Sequence, residues 1–173
     1  MMVNFRESPV DAPAAHALLS EYFASRAETF PATMGIYKTA LPDPARFVGG
    51  NGVFLVVEDV DLAGEPADVG CGGIRRLPPA SERGVVEPAA TEPLSVFEVK
   101  HLWLKPYLRG RGFGRLLLAE LEQRARAFGA TRLVLDTNAS LEAAAGLYRS
   151  SGYLDIEPYN DNPNATHWFG KTL

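Results

Sequence analysis

Arg109-Gly110-Arg111-Gly112-Phe113-Gly114 lies between a strand-like run that ends at Leu104 and a helix-like run that continues to Phe128. Closely spaced glycines let a backbone approach a ligand without Cβ interference, and the first turn of a helix offers unpaired N–H groups and a partial positive charge. Arg109 and Arg111 reinforce that preference for an anion, so the segment reads as a candidate phosphate cradle. Its spacing excludes two common phosphate binders. A P-loop needs Lys followed by Ser or Thr after the last glycine, whereas Gly114 is followed by Arg115 and Leu116. A dinucleotide fingerprint starting at Gly110 or Gly112 needs glycine where Arg115 or Leu117 stands. What remains, Arg109-x-x-Gly112-x-Gly114, also fits an ordinary glycine-rich turn.

The elements on either side give the loop its context. Upstream, Val96 to Leu104 has strand composition, and Pro106, without a donor N–H, ends it. Downstream, Leu116, Leu117, Leu121, Ala125 and Phe128 continue as a helix that Gly129 closes. Further towards the N-terminus, Val3 to Arg6 is a short strand. Ser8-Pro9 opens a helix to about Ala27, with Ala14, Leu18, Tyr22 and Ala15, Leu19, Phe23 as its apolar stripe. Residues 28–50 are interrupted by Pro31, Gly35, Pro42 and Pro44, with a short helix from Pro42 to Val48. Gly52 to Glu58 and Asp68 to Arg76 read as two strands, and residues 78–93, with four prolines, as an exposed loop or extended hairpin. After the loop helix come a strand at Arg132 to Asp136 and a helix capped by Ser140 and closed by Gly152. Strands at Tyr153 to Glu157 and His167 to Leu173 complete the order. This order predicts an α/β (α+β) mixed sheet with helices on its faces, in one domain spanning residues 1–173.

Bulk properties narrow the function classes. The composition, 46% hydrophobic and 22% charged, is that of a globular protein, and a net charge of −4 without a basic stripe argues against nucleic acid. No apolar run reaches the ~18 residues of a membrane span and no signal-peptide core follows Met1, so no membrane partner and a cytoplasmic location are expected. Cys71 is the only cysteine and sits in a strand-like setting, which suits a buried structural thiol. No metal site is expected.

Two longer stretches carry a resemblance. Glu98-Val99-Lys100-His101-Leu102-Trp103-Leu104-Lys105-Pro106-Tyr107-Leu108-Arg109-Gly110-Arg111-Gly112-Phe113-Gly114 resembles strand 4 and the pyrophosphate loop of the GNAT superfamily of acyl-CoA-dependent N-acetyltransferases. Ala144-Ala145-Gly146-Leu147-Tyr148-Arg149-Ser150-Ser151-Gly152-Tyr153 is similar to that superfamily's A-x-x-LY-x-x-x-G-[FY] segment. The resemblance implies a mostly antiparallel sheet of about seven strands, splayed between strands 4 and 5. It implies acetyl-CoA as cosubstrate, an amine acceptor, and a monomer or homodimer. The backbone of Leu102, Trp103 and Leu104 would pair with the pantetheine arm as an added strand. Arg109, Gly110, Arg111, Gly112, Phe113, Gly114 and Arg115 would hold the pyrophosphate. Tyr148 would be the general acid for the departing thiolate, since a phenol of pKa about 10 is protonated at neutral pH. Its spacing with Leu141 and Ala144 also fits a core stripe.

Glu98 and Asp136 are the two candidates for a general base. His101 is a third by its ordinary pKa, but strand alternation with Lys100 places only one of that pair towards the thioester. The common pattern's asparagine, seven residues before the tyrosine, is replaced by Leu141. Asn138 is a nearby candidate for that cofactor contact, or part of a capping turn. The acceptor is not legible. A pocket walled by residues 28–50 and 160–164 would suit a small amine, an open groove would suit a protein N-terminus or lysine, and a non-catalytic acyl-CoA-binding module is the remaining alternative.

Overall fold

The computed structural model describes residues 3–79, 82 and 94–173. Most of the loop or hairpin expected over residues 78–93 therefore lies outside the described residues. Among those described, the strands are β1 (Asn4–Glu7), β2 (Gly52–Val60), β3 (Pro66–Arg76), β4 (Val96–Leu104), β5 (Arg132–Thr137), β6 (Leu154–Asp155) and β7 (His167–Thr172). The helices are α1 (Pro13–Thr29), α2 (Phe113–Ala127) and α3 (Glu142–Ser150). The strands form a single sheet in the order β1-β2-β3-β4-β5-β7-β6. All neighbours are antiparallel except β4 and β5, which run parallel.

Two apolar layers hold helices against opposite faces. On one, Leu117, Leu118, Leu121 and Ala125 of α2 pack with Phe97, Val99, Leu133, Leu135 and Phe169. On the other, Ala15, Leu18, Leu19 and Phe23 of α1 pack with Phe54, Val56, Cys71 and Trp103. Val53 to Val57 are buried throughout, as a central strand covered on both faces requires. Cys71 is fully buried, and desolvation pushes its thiol pKa up, as expected of a packing residue. At Gly70 the backbone of β4 comes so close that an added Cβ would meet the Trp103 carbonyl oxygen at 2.7 Å.

Several boundaries differ from expectation. Helix α1 starts at Pro13: the Ser8 N–H still donates to the Phe54 carbonyl of β2, and a turn closed by the Ala12 N–H on the Pro9 carbonyl precedes the first helical residue. The short helix expected from Pro42 to Val48 is a single 3-10 turn, Pro44–Phe47, capped by the Asp43 side chain. Ser140 does not cap α3; its cap position is Leu141, which offers no side-chain acceptor. The strand expected over Tyr153 to Glu157 contracts to Leu154–Asp155. Among the described residues, no helix is long and apolar enough to cross a membrane.

Candidate active site

The site begins where the sheet opens. β4 pairs with β5 only from Val96 to Glu98, whereas its pairing with β3 continues to Leu104. From Val99 onward, the β5-facing edge of β4 has no strand register among the described residues. The N–H and C=O groups that point away from β3 face a ligand amide there, apart from the Leu104 carbonyl, which accepts from Arg109 Nε at 3.3 Å. Leu102, Trp103 and Leu104 lie on that edge, with Trp103 and Leu104 anchored in the layers on opposite faces.

A bulge accompanies the opening. Cys71 faces Trp103 and Gly73 faces Lys100, so β4 carries one residue more than β3 over this interval. His101 adopts φ 55°, a left-handed conformation uncommon outside glycine. The extra residue breaks the alternation that the sequence predicts: Lys100 and His101 both line the same cavity. Buried against Tyr22 and Phe23, with Lys100 and Arg75 nearby, His101 has its pKa lowered to about 3. A pKa that low leaves the imidazole neutral but a poor proton acceptor, which removes the reason for treating it as a base.

Beyond β4, a 3-10 turn at Pro106–Leu108 leads into the glycine loop. Gly110 and Gly112 have φ of 74° and 87°, and a Cβ built on either meets no atom within 4 Å. The glycines are thus required by the backbone, and the space beside them is open. Gly112 is the N-cap of α2, and its carbonyl accepts from Arg115 and Leu116 N–H. The N–H groups of Phe113 and Gly114 precede that ladder, as an anion site requires. The three arginines surround the loop differently: Arg109 donates to the Leu104 carbonyl, Arg111 lies over the Phe113 ring, and Arg115 donates to Ser150 Oγ.

A cavity of about 460 Å³ adjoins the bulge. Its walls are the end of α1, residues 29–42, the bulge of β4, the end of β5 with the start of α3, and residues 160–165. Tyr148 lines it while packing against Tyr153 and Phe169, so the core and site readings of this residue are both satisfied. Its hydroxyl has no hydrogen-bond partner among the described residues. Burial pushes the phenol up to about 12, with Arg26 pulling it down and Asp136 adding to the rise.

The two candidate carboxylates are differently placed. Glu98 is 1% exposed and does not line the cavity. Its Oε1 accepts from Tyr159 Oη at 2.8 Å and pairs with Lys100 Nζ at 2.9 Å, while Oε2 accepts from Arg75 Nε at 2.8 Å. Asp136 does line the cavity. It is held by Lys100 Nζ at 3.2 Å and Asn160 Nδ2 at 2.6 Å, and Asn160 is fixed in turn by Trp168 Nε1 at 2.9 Å. Burial would raise the Asp136 pKa, but the Lys100 charge and the Asn160 hydrogen bond outweigh it and leave the group below the usual carboxylate range. Lys100 is held ionised by the same two carboxylates against the opposing effect of burial.

The cavity walls are tied together by asparagines. Lys38 N–H donates to Asn164 Oδ1 at 3.0 Å, and Asn164 Nδ2 donates to the Lys38 carbonyl at 2.8 Å. Asn138 Nδ2 donates to the Asn164 carbonyl at 2.9 Å, and its Oδ1 accepts from Ser140 N–H at 3.0 Å. Asn138 is therefore a capping turn and a wall brace, with both ends of its amide on protein groups. Sequence reasoning missed Arg75, Lys100, Tyr159 and Asn160. Lys100 had a readable signal, being two residues from Glu98 on one strand; the asparagine run offered only a turn signal.

A mixed sheet opened between parallel β4 and β5, with a glycine-rich helix start below the opening, is the acyl-CoA N-acyltransferase fold. The chain belongs to the acetyltransferase (GNAT) family, whose model matches residues 15–153. An uncharacterized N-acetyltransferase of Schizosaccharomyces pombe is 41% identical over 66 residues, covering 38% of this chain and 40% of that relative. The match thus spans less than half of the relative's length. An acetyltransferase from Streptococcus agalactiae has the same fold, with TM-score 0.69 at 19% identity over 99% of this chain and 98% of that one. A chain of the NatC complex bound to Gag peptide and CoA matches with TM-score 0.63 at 14% identity, over 100% and 99% respectively. Among the described residues, no group of three or more His, Cys, Asp or Glu could hold a metal ion.

Proposed function

We propose that this protein transfers acetyl from acetyl-CoA directly to the primary amine of a small molecule. One observation carries the reading: β4 and β5 part after Glu98, Tyr148 and Asp136 line the cavity beside the freed part of β4, and the Gly110–Gly114 loop follows the end of that strand. In this account Leu102 to Leu104 pair with the pantetheine amides, and residues 109–115 hold the pyrophosphate. The solved NatC complex carries CoA, which supports that part by likeness.

The chemistry follows from the charges. The acceptor ammonium loses one proton and attacks the thioester carbonyl carbon as the free amine. The C–S bond breaks as the thiolate takes the Tyr148 proton, and the second proton, shed by the nitrogen as it becomes an amide, restores the phenol. Phenol burial keeps that proton in place at every working pH. Asp136 faces the acceptor and holds its ammonium. With a lowered pKa it accepts a proton poorly, so the proton passes to water beside it. Glu98 orders Lys100 and Arg75 from behind and acts as a positioning residue.

A small acceptor is favoured over a peptide because the Asn164–Lys38 pair of hydrogen bonds bridges the two walls that a peptide groove would have to separate. The test is thiol release from acetyl-CoA with a panel of small primary amines and with lysine- or N-terminus-bearing peptides. Turnover with small amines only is expected. CoA binding without turnover on any acceptor would replace the enzyme by a binding module, and turnover on peptides alone would replace the acceptor class.

A further inference from the structure

The charges lining the cavity do not cancel. Arg26, Lys38, Arg75 and Lys100 line it, against a single lining carboxylate, Asp136. Arg75 and Lys100 are matched by Glu98 and Asp136 in a neutral cluster. Arg26 and Lys38 have no ion-pair partner among the described residues. The Arg26 guanidinium lies 5.2 Å over the Tyr22 ring, half-buried in the last turn of α1, and its charge reaches the Tyr148 phenol. A helix C-terminus favours a cation there by a fraction of a kcal/mol, but does not account for an arginine lining a cavity beside the reacting groups.

A plain amine or polyamine brings further positive charge into this space. An acceptor that also carries an anion adds no net charge, and partial burial strengthens the pairing of that anion with Arg26. Beside Arg26 stands an aromatic wall: Phe30 and Tyr37 have ring centroids 5.5 Å apart, and Phe23 and Tyr37 6.5 Å. Such a wall takes an apolar or aromatic body.

Resting on the transfer reading above, we infer that the acceptor is an amino acid with an apolar or aromatic side chain. Its ammonium lies at Asp136, its carboxylate at Arg26 with Lys38 at the rim, and its side chain along Phe30 and Tyr37.

Two assays on the whole protein test this. L-Phenylalanine, L-tryptophan, L-leucine and L-methionine are compared as acceptors with their amides and decarboxylated amines. Binding of the N-acetyl acids and N-acetyl amides is measured by calorimetry, with no turnover involved. The acid is expected to be preferred roughly 10- to 100-fold in kcat/KM and in Kd, the effect of one hydrogen bond to a charged group. Arg26→Gln should remove most of that preference, whereas Arg26→Lys should keep part of it, and both lie on a half-exposed helix turn that tolerates the change. Amides or amines equal to the acids across the panel would overturn the inference, as would a preference left whole by Arg26→Gln. If no acceptor turns over but the N-acetyl acid still binds more tightly than its amide, the transfer reading fails and the carboxylate site stands. If acid and amide bind equally, the site fails whatever the turnover.

Discussion

Replacing Gly112 by alanine separates ligand approach from backbone strain, because the same helix supplies its own control. Gly112 at the start of α2 has φ 87° and Gly129 just past its end has φ 80°, and an added Cβ meets no atom within 4 Å at either position. An L-residue held in the left-handed region costs about 1–2 kcal/mol, so each variant should lose roughly 2–8 °C in Tm. The two should then diverge. At Gly112 the new methyl enters the open space beside the Phe113 and Gly114 N–H groups, where the account seats the pyrophosphate. Losing one charge-assisted hydrogen bond of about 1.5–3 kcal/mol raises Kd by roughly 10- to 100-fold. Calorimetry with CoA and steady-state thiol release with acetyl-CoA measure this. Gly112→Ala should weaken CoA by that factor and change the amine KM little, while Gly129→Ala should leave CoA binding within about twofold of wild type. Equal CoA binding by both variants would refute the assignment of the loop.

Two further perturbations follow from the buried charges. Glu98→Gln leaves Arg75 and Lys100 short of a partner inside the protein and should cost roughly 3 kcal/mol, read as a lower urea midpoint; Asp155→Asn, which breaks the exposed pair with Arg149, should cost under about 1 kcal/mol. Comparable losses from the two would mean that the Glu98 cluster is not a buried network. His101, with its pKa lowered to about 3, stays neutral in the fold while the unfolded chain takes up a proton below about 6.5. Its contribution is therefore complete above that pH and is lost as pH falls towards 3, at up to about 1.4 kcal/mol per pH unit. His101→Asn, which suits the positive φ, should lose stability less steeply between pH 6.5 and 4 in urea titrations, and equal slopes would contradict the assignment.

The parts of the fold that were legible are those with local signals. Gly112 and Gly129 bracket α2 because the chain needs left-handed φ at both points, and only glycine supplies that freely. The hydrophobic run of β2 is continuous because both faces are covered. The bulge at His101 had no such mark: neither its composition nor its spacing distinguishes it from an alternating strand, and the extra residue is visible only in the pairing with β3. Consequently the joint exposure of Lys100 and His101 to the cavity was not foreseen. Asn160 and Asn164 lie in a run whose polar character reads as a turn, while their amides reach Glu98, Asp136 and Lys38 across the fold. Contacts of that sequence separation depend on the whole sheet being in place. The start of α1 differs for a similar reason, since Ser8 is still bonded to β2 and a turn at Pro9–Ala12 comes before the helix.

Direct transfer with Tyr148 as the proton donor is the central claim, and Tyr148→Phe tests it most directly because it removes one hydroxyl that has no hydrogen-bond partner among the described residues. With an amine acceptor that turns over, kcat should fall by about 10²-fold while the KM for acetyl-CoA and the Tm stay close to wild type. An unchanged kcat in the folded variant would contradict the account and return Tyr148 to the core alone.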